Sequence, residues 1–214
     1  MHFHLITLFP KSFDSYLGES ILKRAIEDKK IKVSIYNPRD FVKNKWKRVD
    51  RPPYGGGPGL VIEAEPVAKA IEAALKKSKG EAKIIFLSPS GKQLTNDYAA
   101  KVGKKYKNII IVCGRYEGID ARVRKIFKME EVSVGPFVLT GGELPAMLII
   151  DVVSRRIPGV LGNIDSLEEN RVASSDVYTR PEIFKYKGKN YRVPKILLSG
   201  HRAKIEEWKK KKAK

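Results

Sequence analysis

The stretch 108–120, "NIIIVCGRYEGID", decides how the rest of the chain is read. Ile109 to Val112 is an unbroken apolar run, the pattern of a strand covered on both faces, as in a parallel sheet. The run breaks at Gly114. A cation, a phenol and an anion follow, Arg115, Tyr116 and Glu117, closed by Gly118. Asp120 then precedes "ARVRKIF", a short helix whose N-terminus favours a carboxylate. A buried strand that feeds a helix through a charged, glycine-bracketed loop reads as part of a βαβ unit. Open α/β sheets bind ligands at such strand ends.

The alternation continues in both directions. Upstream, "HFHLITLF" reads as an opening strand, "SILKRAIED" as a helix and "IKVSIYN" as a strand closed by the turn "NPRD". Residues 43–60, "KNKWKRVDRPPYGGGPGL", are basic and then rich in proline and glycine, so they read as a loop. "EPVAKAIEAALKK" has apolar residues at helical spacing and Pro66 in its first turn. "AKIIFL" is a strand, "SPSGKQ" a loop, and "TNDYAAKVGKK" a helix capped by Thr95 or Asn96. Downstream, "EEVSVG" is a strand, "PFVLTGG" a loop, and "ELPAMLIIDVVSRR" a helix apolar enough to be covered on most sides. The expected class is α/β, a mainly parallel sheet flanked by helices.

After Pro158 the texture changes: "GNIDSLEENRVASSDVYTRPE" has no period and many polar residues. The expected organisation is an α/β domain over 1–160, a flexible interdomain linker over 161–178, and a small basic helical appendage over 179–214 ending in "HRAKIEEWKKKK". No internal repeat is visible.

Composition narrows the partners. Of 214 residues, 43 are Lys or Arg and 24 Asp or Glu, a net charge of +19, which points to a polyanion and first to nucleic acid. A lysine-rich solvated surface is the bland alternative. One cysteine, Cys113, excludes an internal disulfide, and with three histidines a His/Cys metal site is not expected. No run approaches the ~18 apolar residues of a membrane span. The N-terminus lacks a signal-peptide pattern. These features fit a cytoplasmic protein with no membrane partner.

Three consecutive strand ends carry unusual loops: "LSPSGKQL", "CGRYEGID" and "SVGPFVLTGGELPA". None has the glycine spacing of a dinucleotide fingerprint or of a P-loop. Each alone reads as a tight βα turn. Three in consecutive units point to one ligand pocket.

Taken in order, "PPYGGGPG", "LSPSG", "CGRYEGID", "VLTGGELPAM", "SRRIPGVLG", "YTRPE" and "LLSGH" resemble the motifs of the bacterial tRNA (guanine-N1)-methyltransferases, of the SPOUT class of knotted methyltransferases. The likeness runs from residue 3 to about 208. It implies a deep trefoil knot in the C-terminal half of the sheet, a homodimer with a composite active site, S-adenosylmethionine as methyl donor and a tRNA anticodon stem-loop as partner. Periodicity reveals none of this, and knots are rare enough to be excluded without such a likeness.

Carried over residue by residue, the resemblance implies a donor cradle of Leu87, Ser88 and Pro89; Gly114, Tyr116 and Glu117; Ser133, Val134, Gly135, Pro136, Phe137, Val138 and Leu139; and Gly141, Gly142 and Pro145. The basic side chains and loop residues expected on RNA are Arg39, Lys47, Arg48, Tyr54, Gly55, Gly56 and Arg180, with the lysine tail adding phosphate contacts. No metal ligand is assigned, and magnesium dependence is not readable from the sequence.

The chemistry sets further demands. Guanine N1 holds its proton at neutral pH, so a base must remove it, and a cation must face O6 as negative charge develops. Arg155 matches the family's catalytic arginine. Glu117 matches a residue near the methionine end and the substrate guanine. An ion pair that merely fixes the loop is the alternative for Arg115 and Glu117. The family's basic aspartate falls at Asn170, whose amide cannot accept the proton. Asp176, Glu169 and Asp165, in that order of preference, are the carboxylates that take its place. This departure motivates a second reading, an RNA-binding relative with weakened catalysis. A third is a related knotted enzyme acting on another RNA base.

Overall fold

The computed structural model describes residues 1–162 and 176–212. The chain divides into two compact units, Met1–Gly162 and Asn163–Lys214.

The first unit is built on five strands: β1 (His2–Ile6), β2 (Lys32–Tyr36), β5 (Ala82–Gln93), β6 (Asn108–Val112) and β7 (Glu130–Ser133). Their order is β2-β1-β6-β5-β7, and every pairing is parallel. Helices α1 (Asp14–Leu17) and α2 (Ser20–Glu27) join β1 to β2, and α3 (Ala64–Lys77) precedes β5. Helix α4 (Asn96–Lys105) joins β5 to β6, α5 (Ala121–Phe127) joins β6 to β7 past the intervening β5, and α6 (Glu143–Ser154) follows β7.

The central strand explains its own sequence. Ile109 and Ile111 enter a core with Ile149, Ile150 and Val153 of α6 and Ala99 and Val102 of α4. Ile110 and Val112 enter a second core on the other face with Ala70, Ile71 and Ala74 of α3 and Val123 of α5. All four β6 residues are fully buried, so neither face tolerates a polar residue and no alternation survives. Each such side chain contributes about 1.5–3 kcal/mol relative to exposure. Local signals hold at the helix starts. Thr95 Oγ1 accepts from Tyr98 N at 3.1 Å, and Asp120 Oδ1 accepts from Arg122 N at 3.0 Å.

Three expectations are corrected. "SPSGKQ" is not simply a loop, because β5 runs on to Gln93. Leu87 and Lys92 both face Val132, so residues 88–91 bulge out between two pairings with β7. The glycine-rich stretch in 43–60 is the tip of a hairpin, formed by β3 (Asp50–Arg51) and β4 (Val61–Ile62). Two-residue strands are too short to show a period. The C-terminal appendage is not purely helical either.

In the second unit, β8 (Ile183–Tyr186) and β9 (Lys189–Arg192) form an antiparallel hairpin. Its turn is Lys187–Gly188, both at positive φ, the conformation two-residue hairpin loops favour. Helices α7 (Lys195–Leu198) and α8 (Arg202–Lys212) follow. The hairpin was hidden because its strand residues are mostly exposed and carry no buried face to read. Most of the proposed linker, including Asp165, Glu169 and Asn170, lies outside the described residues.

Candidate active site

The order β6-β5-β7 sets the bulge of β5 beside the ends of β6 and β7, and together with the loops that follow they border a cavity of about 430 Å³. Leu87, Ser88 and Pro89 come from β5, and Gly114, Tyr116 and Glu117 follow β6. Ser133, Val134, Gly135, Phe137, Val138 and Leu139 follow β7, and Gly141, Gly142 and Pro145 lead into α6. Of the residues expected in the cradle, Pro136 alone is not in the lining. Ser90, Ile119 and Thr140, within the three loops expected to form the pocket, also line it, as does Arg115; Phe86, Arg124, Glu131 and Val132 line it from outside those loops.

The walls are cross-braced. Gly142 N donates to Gly114 O at 3.0 Å, and Arg115 and Gly141 form an antiparallel bridge. A Cβ on Gly142 would stand 2.6 Å from Cys113 Cα, so the close approach of the two loops requires glycine there. On the other side, Glu117 N donates to Leu60 O and Ile62 N donates to Gly118 O, both at 3.0 Å. The loop after β6 is thereby tied to the base of the glycine-rich hairpin. Gly59, at φ +84°, leaves room for the Glu117 side chain, whose Oε1 would lie 2.7 Å from a Cβ.

The charges bracketed by glycines in the opening stretch separate by direction. Arg115 turns inward: its Nε donates to Glu143 Oε2 at 2.8 Å and its Nη1 to Thr140 O at 3.2 Å, with its guanidinium 4.6 Å from the Phe9 ring centre. Glu143 is 3% exposed, and Thr7 Oγ1 donates to its other oxygen at 2.7 Å. One buried carboxylate thus holds the segment after β1, the loop after β6 and the start of α6. Its sequence signal was slight, an acidic residue directly after a glycine pair. Tyr116 and Glu117 are exposed at the cavity rim, with the Glu117 side chain lying against Gly59. Cys113, behind this wall, is fully buried, and burial followed by the charge of Glu143 pushes its thiol well above the usual range. It is an inert packing group. Arg124 and Glu131 form an ion pair in the lining, and the Arg124 guanidinium lies 5.3 Å from the Phe86 ring centre. Ser133 Oγ donates to Gly135 O at 2.9 Å and shapes the loop after β7.

The other expected site residues lie elsewhere. Gly142 and Pro145 sit at the start of α6 in the cavity, while Arg155 caps its far end. A 12-residue helix is about 18 Å long, so Arg155 does not reach its own chain's cavity. Leu144, Leu148, Asp151 and Arg155 lie at helical spacing, and both leucines are exposed. Tyr16 Oη donates to Asp151 Oδ2 at 2.5 Å beside this stripe. Asp176 belongs to the second unit, where it pairs with Lys212 at 3.4 Å. Of the proposed RNA residues, Arg39, Lys47, Arg48, Tyr54, Gly55 and Gly56 all lie between β2 and β4, and Arg180 is exposed in the second unit. Among the described residues no group of three or more His, Cys, Asp or Glu side chains is placed to hold a metal ion. Among them, too, no helix is long and apolar enough to cross a membrane.

A family model described as tRNA (Guanine-1)-methyltransferase TrmD matches residues 1–214. Among curated relatives, the tRNA (guanine-N(1)-)-methyltransferase of Caldanaerobacter subterraneus subsp. tengcongensis is 47% identical, with 100% of this chain and 87% of the relative aligned. The protein of the same name from Geobacter sulfurreducens is 46% identical over 100% of this chain and 86% of the relative. That of Clostridioides difficile is 43% identical over 100% and 92%.

Proposed function

The chain belongs to the tRNA (guanine-1)-methyltransferase family, and we propose that the cavity bordered by the β5 bulge and the ends of β6 and β7 is where it holds the methyl donor. The reaction is methylation of tRNA at N1 of a guanine. The finer reading assigns S-adenosylmethionine as donor, the guanosine 3′ to the anticodon as target, a trefoil knot formed by the three loops, and a homodimer as the active form.

Three glycine-bearing loops from consecutive units, braced around one cavity, carry this reading. Its volume lies in the range of roughly 300–1,000 Å³ usual for small-molecule sites. Leu87, Val138 and Leu139 offer apolar walls for an adenine, and neighbouring peptide groups offer partners for its polar edge. Glu117 supplies negative charge suited to a sulfonium, whereas that of Glu131 is paired with Arg124. When bound, S-adenosylmethionine supplies an electrophilic methyl group.

The remaining work falls to this chain's own side chains. Glu117, at the rim, orients the guanine. Arg155 donates to guanine O6 and stabilises the negative charge left as the N1 proton departs. Because α6 separates Arg155 from its own cavity by about 18 Å, it serves the cavity of a second copy. The exposed Leu144 and Leu148 supply part of the face on which the copies meet. The N1 proton goes to Asp176, which stands just before "YTRPE", with Glu169 and then Asp165 as alternatives. Basic side chains on 39–48 and the lysines of α8 hold the phosphates.

The test is transfer from methyl-labelled S-adenosylmethionine to an unmodified tRNA transcript, followed by mapping of the label. Methyl on N1 of the guanosine 3′ to the anticodon is expected. Label on another atom or base, or tRNA binding without transfer, overturns the reading. Mixing Arg155→Ala with Gly142→Ala should restore activity through hybrid dimers, and no recovery in verified heterodimers overturns the shared site. Asp176→Asn should slow single-turnover transfer by about 100-fold. A larger loss in Glu169→Gln or Asp165→Asn moves the base there.

A further inference from the structure

Trp46 is 80% exposed on a turn built to hold it in place. Asn44 closes that turn twice: its Oδ1 accepts from Arg48 N and its Nδ2 donates to Arg48 O, both at 2.8 Å. Lys47 N donates to Asn44 O at 3.0 Å, and Lys47 itself takes a left-handed conformation at φ 48°. Arg39 Nη1 donates to Lys47 O at 3.0 Å. The turn is anchored on one side by the Asn37-capped 3-10 helix Pro38–Phe41 and on the other by Val49, which is fully buried and whose carbonyl accepts from Glu63 N at 2.8 Å. None of these bonds involves the indole. The turn therefore forms for backbone and amide reasons, and an indole projected from it into solvent is left without a packing role. The Lys45 ammonium, 5.4 Å from the ring centre, keeps the immediate surroundings cationic.

We propose that Trp46 is a stacking platform for an unpaired nucleotide of the RNA substrate, distinct from the guanine that is methylated. The proposal rests on the reading of this protein as a tRNA methyltransferase. An exposed aromatic among cations is how proteins hold single-stranded bases: the π-face takes the base, and the cations track the phosphates on either side. The cations are at hand in Lys43, Lys45, Lys47 and Arg48, all exposed and on the same turn. A partner of that description must be polyanionic and have bases free of pairing, which an anticodon loop satisfies and a duplex does not. A protein partner would have to cover the indole together with these four cations.

The role separates from phosphate contact by salt. Stacking is worth about 1–3 kcal/mol per base, so Trp46→Ala should weaken binding of a labelled anticodon stem-loop by about tenfold or more. The weakening should be the same at every salt concentration, leaving the log–log slope unchanged, and Trp46→Phe should recover most of it. Lys45→Ala should instead lower the slope by about one. In turnover the Trp46→Ala loss falls on KM for tRNA. Wild-type affinity in Trp46→Ala, or no recovery in Trp46→Phe, overturns the proposal, as does a fall in the protein's mass in solution, which makes the indole a protein contact. If the wild-type chain itself neither binds the stem-loop nor methylates tRNA, the reading of function fails instead.

Discussion

Beyond the carboxyl ends of β1 and β6 the sheet carries a charged pair, Arg115 with the buried Glu143; from the amino end of β6, across the middle of β1, to the end of β2 it carries a neutral network. There His4, fully buried, has Nδ1 3.0 Å from Tyr36 Oη and Nε2 3.2 Å from Ser78 Oγ and 3.4 Å from Asn108 Oδ1. Ser78 Oγ donates to Ala74 O at 2.9 Å and therefore accepts from His4. That assigns the neutral tautomer with its proton on Nε2, and Tyr36 donates to Nδ1. Asn108 Nδ2 donates to Lys79 O at 3.0 Å. The network's bonds stay within β1, β2, β6 and the residues at the end of α3, and burial lowers the pKa of its histidine. The charged pair is different in kind. A buried ion pair recovers its desolvation cost only with good geometry and further hydrogen bonds, and here those bonds run into three segments around the cavity. One polar group is finished as structure within the sheet, while the other braces the loops around the cavity.

The sharpest way to break this contrast is to remove one charge. Glu143→Gln leaves Arg115 without its counter-charge, and about 3 kcal/mol of stability should go with it. Affinity for the proposed donor, S-adenosylmethionine, should fall at least tenfold. Denaturant unfolding and calorimetric titration measure the two, and a stability loss with unchanged donor affinity would make the pair as purely structural as the histidine network.

Gly142→Ala is next. Its new Cβ would press on Cys113 Cα, which is backbone and cannot swing aside. Overpacking of this kind costs about 1–3 kcal/mol. The two loops must part, and a displacement near 1 Å slows well-positioned chemistry by about 100-fold. Single-turnover methyl transfer at saturating substrates reads this directly.

Asn108→Ala tests the neutral network. It strands the Lys79 carbonyl and loosens His4, at about 1–2 kcal/mol. KM for the donor should stay at the wild-type value, and a rise would mean that the two groups communicate through β6.

The smallest effect is that of pH. Burial, then His4 and the positive charges of Lys32, the N-terminus and Lys77, lower His2 from its usual 6.5 to about 4. Burial, with Lys32 and Lys77, lowers His4 as well. The unfolded chain therefore takes up protons near pH 6.5 that the folded chain refuses until about pH 4. Stability from His2 is complete above pH 6.5 and is lost as pH falls through that window, and the lowered His4 acts in the same direction. The melting temperature should be level above neutrality and decline below it, and His2→Gln should flatten the decline.

Much of the first unit was open to a reader of residues. Parallel strands buried on both faces leave continuous apolar runs, and helices with one buried stripe leave a period, so β6, α3 and α4 announce themselves within a dozen positions. The loops that build the cavity were visible because glycines and charges rarely interrupt such runs without reason. What pairs with what was not visible. Glu143 lies 28 residues from Arg115 and 136 from Thr7, and nothing local links them. The bulge at 88–91 exists because β5 pairs with β7 on both sides of it, a relation between strands rather than a pattern within one. The short β3–β4 and β8–β9 hairpins escaped for the same reason, since a strand with little buried surface carries no hydrophobic code.

The division follows the range of the forces involved. Burial preference and backbone propensity act residue by residue, so the alternation of strands and helices and the chemistry of each loop are written along the chain. Strand order depends on contacts between distant segments, and so does everything that order brings together. The order β6-β5-β7 places three loops around one cavity, the buried carboxylate of Glu143 draws Arg115 inward, and the length of α6 carries Arg155 away from the cavity its own first turn lines. None of these is a property of any single stretch, and each became definite only when the sheet closed over its two cores.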